Sequence, residues 1–232
     1  FESDKYQQTA ANSGNPDPTT YAIGSNLSIT PFIHGLVGYW PLNEGSGSTA
    51  KDESGWGNNG TIYQTSTWET TGCISNAPCL YFGGGEVSIP STVSTSSQVT
   101  VIGWYNVTSS GGGRIINRNW CASGFDSWLM HISLGFGVSN GSCSPQDWAS
   151  FGGISTGQWR FLVGVFDGQK TYAYKNGILI NTTSAAGMDI SGDSSLITFM
   201  EGSNEGYLSD VYIYGRALTS AQIQAIYNTE KP

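Results

Sequence analysis

Short apolar and aromatic segments separated by turn residues recur along the chain, and they limit the possible folds more than any other feature. About a dozen such segments occur, with a turn roughly every 8 to 12 residues, which is typical of an antiparallel sandwich. The Asn176-Gly177 pair predicts a tight hairpin, because both residues tolerate positive φ angles. The clearest alternation separates two faces of one strand: Val99, Val101, Gly103 and Tyr105 on one, and Thr100, Ile102, Trp104 and Asn106 on the other. The sequence therefore predicts an all-β antiparallel β-sandwich.

The segment Gly206–Tyr227 predicts a strand followed by one short C-terminal helix, which is an unusual ending for an all-β chain. The helix should begin after an N-cap residue, either Thr219 or Ser220. Apolar residues recur at helical spacing in this part of the chain: Leu218, Ile223, Ile226 and Tyr227. We expect the helix to pack beneath the strand that closes the sheet, close to the opening strand of the domain.

The composition excludes two classes of partner. Charged residues make up only 11% of the 232 residues, and the net charge of −8 comes without any run of Lys or Arg. Because a phosphate-binding surface needs such a cluster, nucleic acid is excluded as a partner. No apolar stretch is long enough to span a bilayer.

Residues 1–35 are polar and rich in turns, so we expect them to be a linker or the remnant of another region.

The four cysteines show no C-x-x-C spacing, and the two histidines lie far from them in sequence. This arrangement favours disulfides over a zinc site. Of the three possible connectivities, the local one closes the shortest loops, and it joins Cys73 to Cys79 and Cys121 to Cys143. Disulfides indicate an oxidising compartment, so we expect an extracellular or cell-surface location.

Blocks of sequence in a fixed order carry a resemblance to a known family. They read LVGYWPLNEGSG, DESGWGNNG, GCISNAPCLYFGGGEVSIP, VTVIGWYNV, GQWRFLVGVFDGQKTYAYKNGILI and YLSDVYIYGRALTSAQIQAIY. They resemble the laminin-G-like jelly-roll domains of the concanavalin A-like lectin and glucanase superfamily. The resemblance implies one jelly-roll domain over residues 36–232. Residues 1–35 end in a Y-x-I-G-x-x-L strand and resemble the soluble remnant of a type IV pilin or pseudopilin, with a plain linker as the alternative.

The family resemblance implies a structural calcium ion near the loop DESGWGNNG, shared with an acidic residue of the last strand. Asp52 and Asn59 in the loop and Asp210 in the strand are the predicted ligands. Calcium prefers carboxylate and amide oxygens of this kind. The alternative is a turn in which these side chains bond to their own backbone.

Aromatic residues near the second cysteine pair form the predicted ligand site. Trp120 and Phe125 flank Cys121, and Trp148 follows Cys143, so that a disulfide would hold the three rings as one rim. Exposed rings of this kind stack on the apolar faces of sugars. The alternative is that the rings pack beneath the surrounding loops.

The sequence carries no recognisable catalytic motif. Hydrolases of the resembled superfamily place two carboxylates on one strand in an E-x-D-x-E or E-x-D-x-x-E motif, about 5 to 5.5 Å apart in retaining enzymes. The nearest match, Glu201 to Glu205, lacks the central aspartate and lies in a glycine-rich segment. We therefore predict that the protein is not an enzyme.

These observations together predict a non-catalytic extracellular module that binds a glycan or a cell-surface ligand in adhesion. The pilin resemblance implies a place at the head of a minor pilin-like subunit, with pilus or filament subunits as further partners. One alternative is a structural subunit that decorates a filament without a glycan ligand. The other is a divergent glycan hydrolase.

Overall fold

The computed structural model of the chain describes residues 34–63, 65–90, 92–93, 97–109, 113–118, 126–140, 148–191, 195–202 and 205–232. The predicted linker or pilin remnant at residues 1–35 thus lies almost wholly outside the described residues. Within the described ranges the strands form two sheets that pack against each other, and the strand pairs are antiparallel. The predicted all-β antiparallel sandwich is confirmed.

Eight strands of the described residues form the first sheet, called sheet A. They are β1 (Leu36–Trp40), β4 (Ser66–Glu69), β5 (Cys79–Gly83), β7 (Val99–Val107), β11 (Arg160–Phe166), β12 (Lys170–Lys175), β13 (Ile178–Ser184) and β15 (Glu205–Tyr214). Their order is β13-β12-β11-β7-β15-β5-β4, with β1 also paired to β15.

The second sheet, called sheet B, contains seven strands of the described residues. They are β2 (Thr49–Ala50), β3 (Gly60–Tyr63), β6 (Glu86–Ile89), β8 (Arg114–Arg118), β9 (Asp126–His131), β10 (Gly135–Asn140) and β14 (Ile197–Phe199). Their order is β10-β9-β8-β14-β6-β3-β2. The short strands β2 and β4 were not predicted. One isolated bridge outside the named strands joins Phe136 to Ala149.

The main core lies between the two sheets. The strand registers align six inward residues across sheet B, in the order Ile62, Val87, Phe199, Ile116, Met130 and Phe136. Five of them belong to one buried apolar cluster that sheet A covers from the other side, and the partly buried Ile62 packs against this cluster. Because the side-chain period of a strand is two, the residues between them must point to the outer face of sheet B.

The last strand changes partner in the middle of its length. One side of β15 pairs with β7, whereas its other side pairs first with β5 and then with β1. The change occurs around Asp210, which has a φ of 50°, and the register with β7 also shifts there. The closing strand was expected close to the opening strand of the domain, and the antiparallel pairing of β15 with β1 confirms this position.

Helix α1 (Ser220–Glu230) covers the outer face of sheet A. Thr219 is its N-cap: the Thr219 hydroxyl accepts from the Gln222 amide, and the Gln222 side chain accepts from the Thr219 amide. Ile223 and Ile226 of the helix are buried against Ile102 and other outward residues of β7 and β11. Both faces of β7 are therefore buried, one by sheet B and one by α1.

Asn176 and Gly177 connect β12 to β13 with φ angles of 53° and 78°, as the predicted hairpin requires.

No helix within the part of the chain that the structure describes is long and apolar enough to cross a membrane.

Candidate functional site

The outer side of sheet B carries a row of mostly polar residues that is exposed or half-buried at the Thr61 end and buried from Asn117 onward. The registers align one outward residue from each of six neighbouring strands, in the order Thr61, Ser88, Thr198, Asn117, Leu129 and Gly137. A second, partly charged row runs beside the first. We use the name polar face for both rows together, and the second row consists of Tyr63, Glu86, Glu201, Arg114 and His131.

A bulge in β8 places Arg114 on the polar face. The register between β8 and β9 shifts between Arg114 and Ile116, so Ile115 is an extra residue in β8. Strict alternation from Asn117 would point Arg114 into the core. The extra residue reverses this and sets Arg114 opposite His131 on the outer face.

A second irregularity turns Glu201 towards the same face. Met200 follows β14 with a φ of 60°, a conformation that costs a non-glycine residue roughly 1 to 2 kcal/mol. The Met200 side chain is fully buried in the core, and Glu201, the next residue, bonds to groups on the outer face. Local backbone strain of this kind is found at functional sites.

The two irregularities create an ion pair at the centre of the polar face. Arg114 Nη1 lies 2.6 Å from Glu201 Oε1, and Asn117 Nδ2 donates to Glu201 Oε2 at 2.8 Å. Both carboxylate oxygens of Glu201 are therefore engaged. Burial and the nearby Glu201 carboxylate raise the pKa of Glu86. In this second row, two carboxylates accompany one guanidinium.

Trp148 closes one end of the polar face. Its ring packs against Gly137, where an added Cβ would lie 2.8 Å from Trp148 Cε3, so a larger residue there would displace the ring. The ring also meets His131 edge-on at a centroid distance of 6.3 Å. Burial and the Arg114 charge lower the pKa of His131, so the imidazole is neutral near pH 7.

The other two residues of the predicted aromatic rim, Trp120 and Phe125, lie outside the described residues, as do Cys121 and Cys143. The rim therefore stays a prediction, with Trp148 as its one described member. Cys73 and Cys79 form a disulfide at the start of β5, with their Cα atoms 5.5 Å apart.

The side-chain oxygens of Asp52 and Asn59, two of the predicted calcium ligands, accept hydrogen bonds from backbone amides. Asp52 Oδ1 accepts from the amides of Tyr39 and Ser54, and its Oδ2 accepts from the amide of Asn58. Asn59 Oδ1 accepts from the Asp52 amide. These bonds form the self-bonded turn that was the alternative to a metal site.

Asp210 lies at the opposite end of Tyr39 from Asp52. Its Oδ1 accepts from the Tyr39 hydroxyl at 3.0 Å, and its Oδ2 accepts from the Ser209 hydroxyl at 2.7 Å. Within the described ranges, no group of three or more His, Cys, Asp or Glu side chains could hold a metal ion. Asp52 and Asp210 thus bond to opposite ends of Tyr39, and the predicted calcium remains a prediction to be tested with a chelator.

Replacing Asp52 by Ala is expected to lower the free energy of unfolding by about 2 kcal/mol, because three backbone amides lose their acceptor. Urea unfolding should give the same loss in millimolar calcium and in chelator. Asp189→Ala is the matched control, since the exposed Asp189 accepts one backbone bond from Ser191 and should cost well below 1 kcal/mol. A loss confined to calcium-containing buffer would show that Asp52 binds the ion.

The near match to a catalytic motif does not form a carboxylate pair in the described residues. Glu201 is held by Arg114 and Asn117, whereas Glu205 begins β15 in sheet A and its side chain is exposed. The nearest second carboxylate to Glu201 on the polar face is Glu86, on the neighbouring strand β6. Glu86 was not predicted as a site residue, since nothing in EVSI distinguishes it from an ordinary exposed strand residue.

A half-buried group of side chains, which was not predicted as a group from the sequence, lies between sheet A and the end of α1. We call it the acid–tyrosine cluster, and it consists of Tyr39, Asp210, Tyr212 and Glu230. The rings of Tyr39 and Tyr212 stack at 4.2 Å, and their hydroxyls donate to Asp210 and Glu230 respectively. Burial is the main cause that raises the pKa of Glu230 to about 8. The cluster binds the helix terminus to the sheet.

Comparison with a family model gives a match to residues 82–224. The model is Laminin_G_3, described as the concanavalin A-like lectin/glucanases superfamily. The matched residues run from β5 into α1 and include most of the polar face. No curated protein matches the sequence.

Solved structures share the fold at low sequence identity. Domain 4 of AbnA, a GH43 extracellular arabinanase from Geobacillus stearothermophilus solved with arabinotriose, superposes with a TM-score of 0.66 at 18% identity, covering 83% of this chain and 98% of that one. The binding domain of botulinum neurotoxin DC in complex with SialylT gives 0.63 at 18% identity, covering 85% and 52%. Trypanosoma rangeli sialidase gives 0.56 at 14% identity, covering 83% and 32%. This chain thus spans about half of the toxin domain and a third of the sialidase, and these similarities establish the fold alone.

Proposed function

We propose that this chain, which belongs to the concanavalin A-like lectin/glucanases superfamily, is a non-catalytic recognition module that binds a glycan through the polar face of sheet B. The observation that carries the proposal is the row of hydroxyl side chains Thr61, Ser88 and Thr198, which are exposed or half-buried on the outer side of sheet B. Sugar hydroxyls are recognised by such groups, and the rings of Tyr63 and Trp148 at either end suit the apolar faces of sugars.

Structural neighbours support a glycan as the ligand. The arabinanase domain was solved with arabinotriose, and the neurotoxin domain was solved with SialylT. The neighbours also include a sialidase, so the superfamily fold accompanies both binding and hydrolysis. The choice between the two must come from the side chains of this chain.

The side chains of the polar face favour binding over hydrolysis. Hydrolysis by this chemistry needs two carboxyl groups that flank the scissile bond, one of them as general acid. Glu201 has both oxygens engaged by Arg114 and Asn117, which leaves Glu86 as the one carboxyl of the described polar face without such partners. Release of reducing sugar that is lost in both Glu86→Gln and Glu201→Gln would establish the divergent hydrolase instead.

The wider setting of the module rests on the sequence. An extracellular or cell-surface location follows from the cysteine usage, and a place in a pilin-like subunit follows from the resemblance of residues 1–35. Adhesion to a cell-surface glycan is the role that suits such a location. A structural subunit that only contacts its filament neighbours would bind none of the oligosaccharides offered below.

Thr198→Ala combined with Ser88→Ala should weaken oligosaccharide binding at least tenfold, because each lost hydroxyl removes a hydrogen bond worth about 1 kcal/mol. Calorimetric titration with arabinotriose, sialyllactose and a trimer of N-acetylglucosamine measures the change. Ser184→Ala, an exposed serine on β13 of sheet A, is the matched control and should bind as the unchanged protein does. Binding that both variants retain would place the ligand elsewhere on the molecule.

A further inference from the structure

We propose that the polar face selects glycans that carry a free amino group over glycans that carry a carboxylate, and that Glu86 with Tyr63 forms the contact that selects them. The inference rests on the proposed function, since it names the ligand class of the same face. It concerns a residue pair that lies at one end of the second row, away from Trp148.

The charges of the polar face do not balance. Arg114 is its guanidinium, and Glu201 holds that guanidinium at 2.6 Å, so little positive potential is left for an anionic ligand. The imidazole of His131 is neutral near pH 7, since its pKa is lowered. Glu86 therefore remains as an uncompensated negative charge, in a chain whose net charge is already −8. Coulomb repulsion disfavours a second carboxylate at such a position.

Glu86 is placed to receive a cation. It is half-buried, and within the described residues no hydrogen bond or ion pair engages its carboxylate. A carboxylate that loses solvent without gaining a donor is unfavourable, and an ammonium group of a ligand would supply the missing donors. Burial and Glu201 raise the pKa of Glu86, which is the direction expected for a carboxylate without a cationic partner.

Tyr63 provides the second half of the contact. It is the direct cross-strand neighbour of Glu86, on β3, and 47% of its surface is exposed. Directly opposed residues of an antiparallel pair have Cβ atoms about 5 Å apart. An ammonium group that bonds to the Glu86 carboxylate would thus also lie near the Tyr63 ring, where a cation–π contact adds to its binding. Neutral sugars lack this contact but keep the contacts with the hydroxyl side chains of Thr61, Ser88 and Thr198.

The test compares two ligands that differ only at the amino group: a glucosamine trimer and its fully N-acetylated form. At about pH 6 and low ionic strength we expect the glucosamine trimer to bind at least tenfold more tightly. The ratio should fall to about threefold or less near 0.5 M salt, where screening is strong. Glu86→Gln should bring the two affinities within about twofold of each other, and Tyr63→Leu should reduce the ratio by a smaller factor.

A matched control separates the site from the overall charge. Glu205→Gln changes the net charge by the same amount at an exposed position on sheet A, and it should leave the tenfold ratio unchanged. Equal affinity of the two trimers in the unchanged protein, or a preference that survives Glu86→Gln, would overturn the inference. If the acetylated trimer still depends on Thr198 and Ser88 in that case, the proposed function stands and only the selectivity fails. If neither trimer depends on them, the proposed function fails as well.

Discussion

Replacing Glu230 by Gln is expected to remove most of the alkaline loss of stability of this protein. The Glu230 side chain reaches from the end of α1 into the acid–tyrosine cluster, where the Tyr212 hydroxyl donates to one oxygen and the other oxygen, Oε2, is fully enclosed. A carboxyl group in such surroundings favours its neutral form. The unchanged protein should therefore be markedly less stable at pH 9 than at pH 5.

The direction of this pH dependence follows from the difference between the pKa of Glu230 in the folded protein and its ordinary value. Burial, and to a smaller extent Asp210, raise the pKa of Glu230 to about 8 in the folded protein, against 4.5 as the ordinary value. The folded state holds the proton over this interval and the unfolded state does not. The stabilisation is fully present below about pH 4.5 and is lost as the pH rises through about 8. The total loss is on the order of 5 kcal/mol.

Urea unfolding at a series of pH values measures this loss. In Glu230→Gln the amide keeps the acceptor for Tyr212 but cannot ionise, so the free energy of unfolding should change little between pH 5 and 9. Burial also raises the pKa of Asp210, and any slope that remains in the variant should disappear on adding Asp210→Asn. Glu205→Gln, an exposed control on the same sheet, should keep the full slope. Identical pH profiles for Glu230→Gln and the unchanged protein would show that the carboxyl is solvated and ionised in the fold.

The fold was predictable because its signals are local and repeated. The alternation in VTVIGWYNV separated the residues of β7 into its two faces correctly, and Asn176-Gly177 fixed the hairpin between β12 and β13. The sequence also limited the N-cap to Thr219 or Ser220 and placed the closing strand close to the opening strand. Each of these depends on residue type and spacing within one or two adjacent elements. The two short strands β2 and β4 have too few residues to show a period.

The candidate site was much less predictable, because it depends on departures from alternation. A strict period of two from Asn117 would place Arg114 in the core, and only the extra residue Ile115 brings it outward. Likewise, a bulky Met200 gives no indication in sequence that it takes a positive φ and turns Glu201 to the polar face. Both irregularities arise from tertiary packing, so a pattern within one segment cannot reveal them.

The acid–tyrosine cluster shows a different limit of the sequence. Glu230 is 18 residues from Tyr212 and lies in an ordinary polar helix end. Its burial results from how α1 packs across sheet A, which the helical period of Ile223 and Ile226 determines only in part. Asp210 was selected as a calcium ligand from the family resemblance, whereas the described contacts of its carboxylate are two hydroxyl groups.

Two glycines that look alike in sequence illustrate the same limit. Gly103 in VIGWY and Gly164 in LVGVF both interrupt an apolar strand, and both face the core from the neighbouring strands β7 and β11. An added Cβ at Gly103 would first meet Leu208 Cδ1 at 3.3 Å, the end of a flexible side chain. At Gly164 the added Cβ would lie 2.1 Å from Cδ2 of Phe136, whose ring is fully buried between the sheets.

Gly164→Ala is therefore expected to lower the free energy of unfolding by about 3 kcal/mol, because carbon atoms pack at about 3.5 to 4 Å and the Phe136 ring has no free space to move into. The free energy of unfolding of Gly103→Ala should lie within about 1 kcal/mol of that of the unchanged protein. The close contact of the added methyl group with Leu208 is offset by the lower entropy of the unfolded chain. Combining Gly164→Ala with Phe136→Leu should cost less than the sum of the two single changes, because the smaller side chain makes room for the methyl group. Equal losses for the two glycine variants would contradict this explanation, and they would indicate that the sheets separate freely at Phe136.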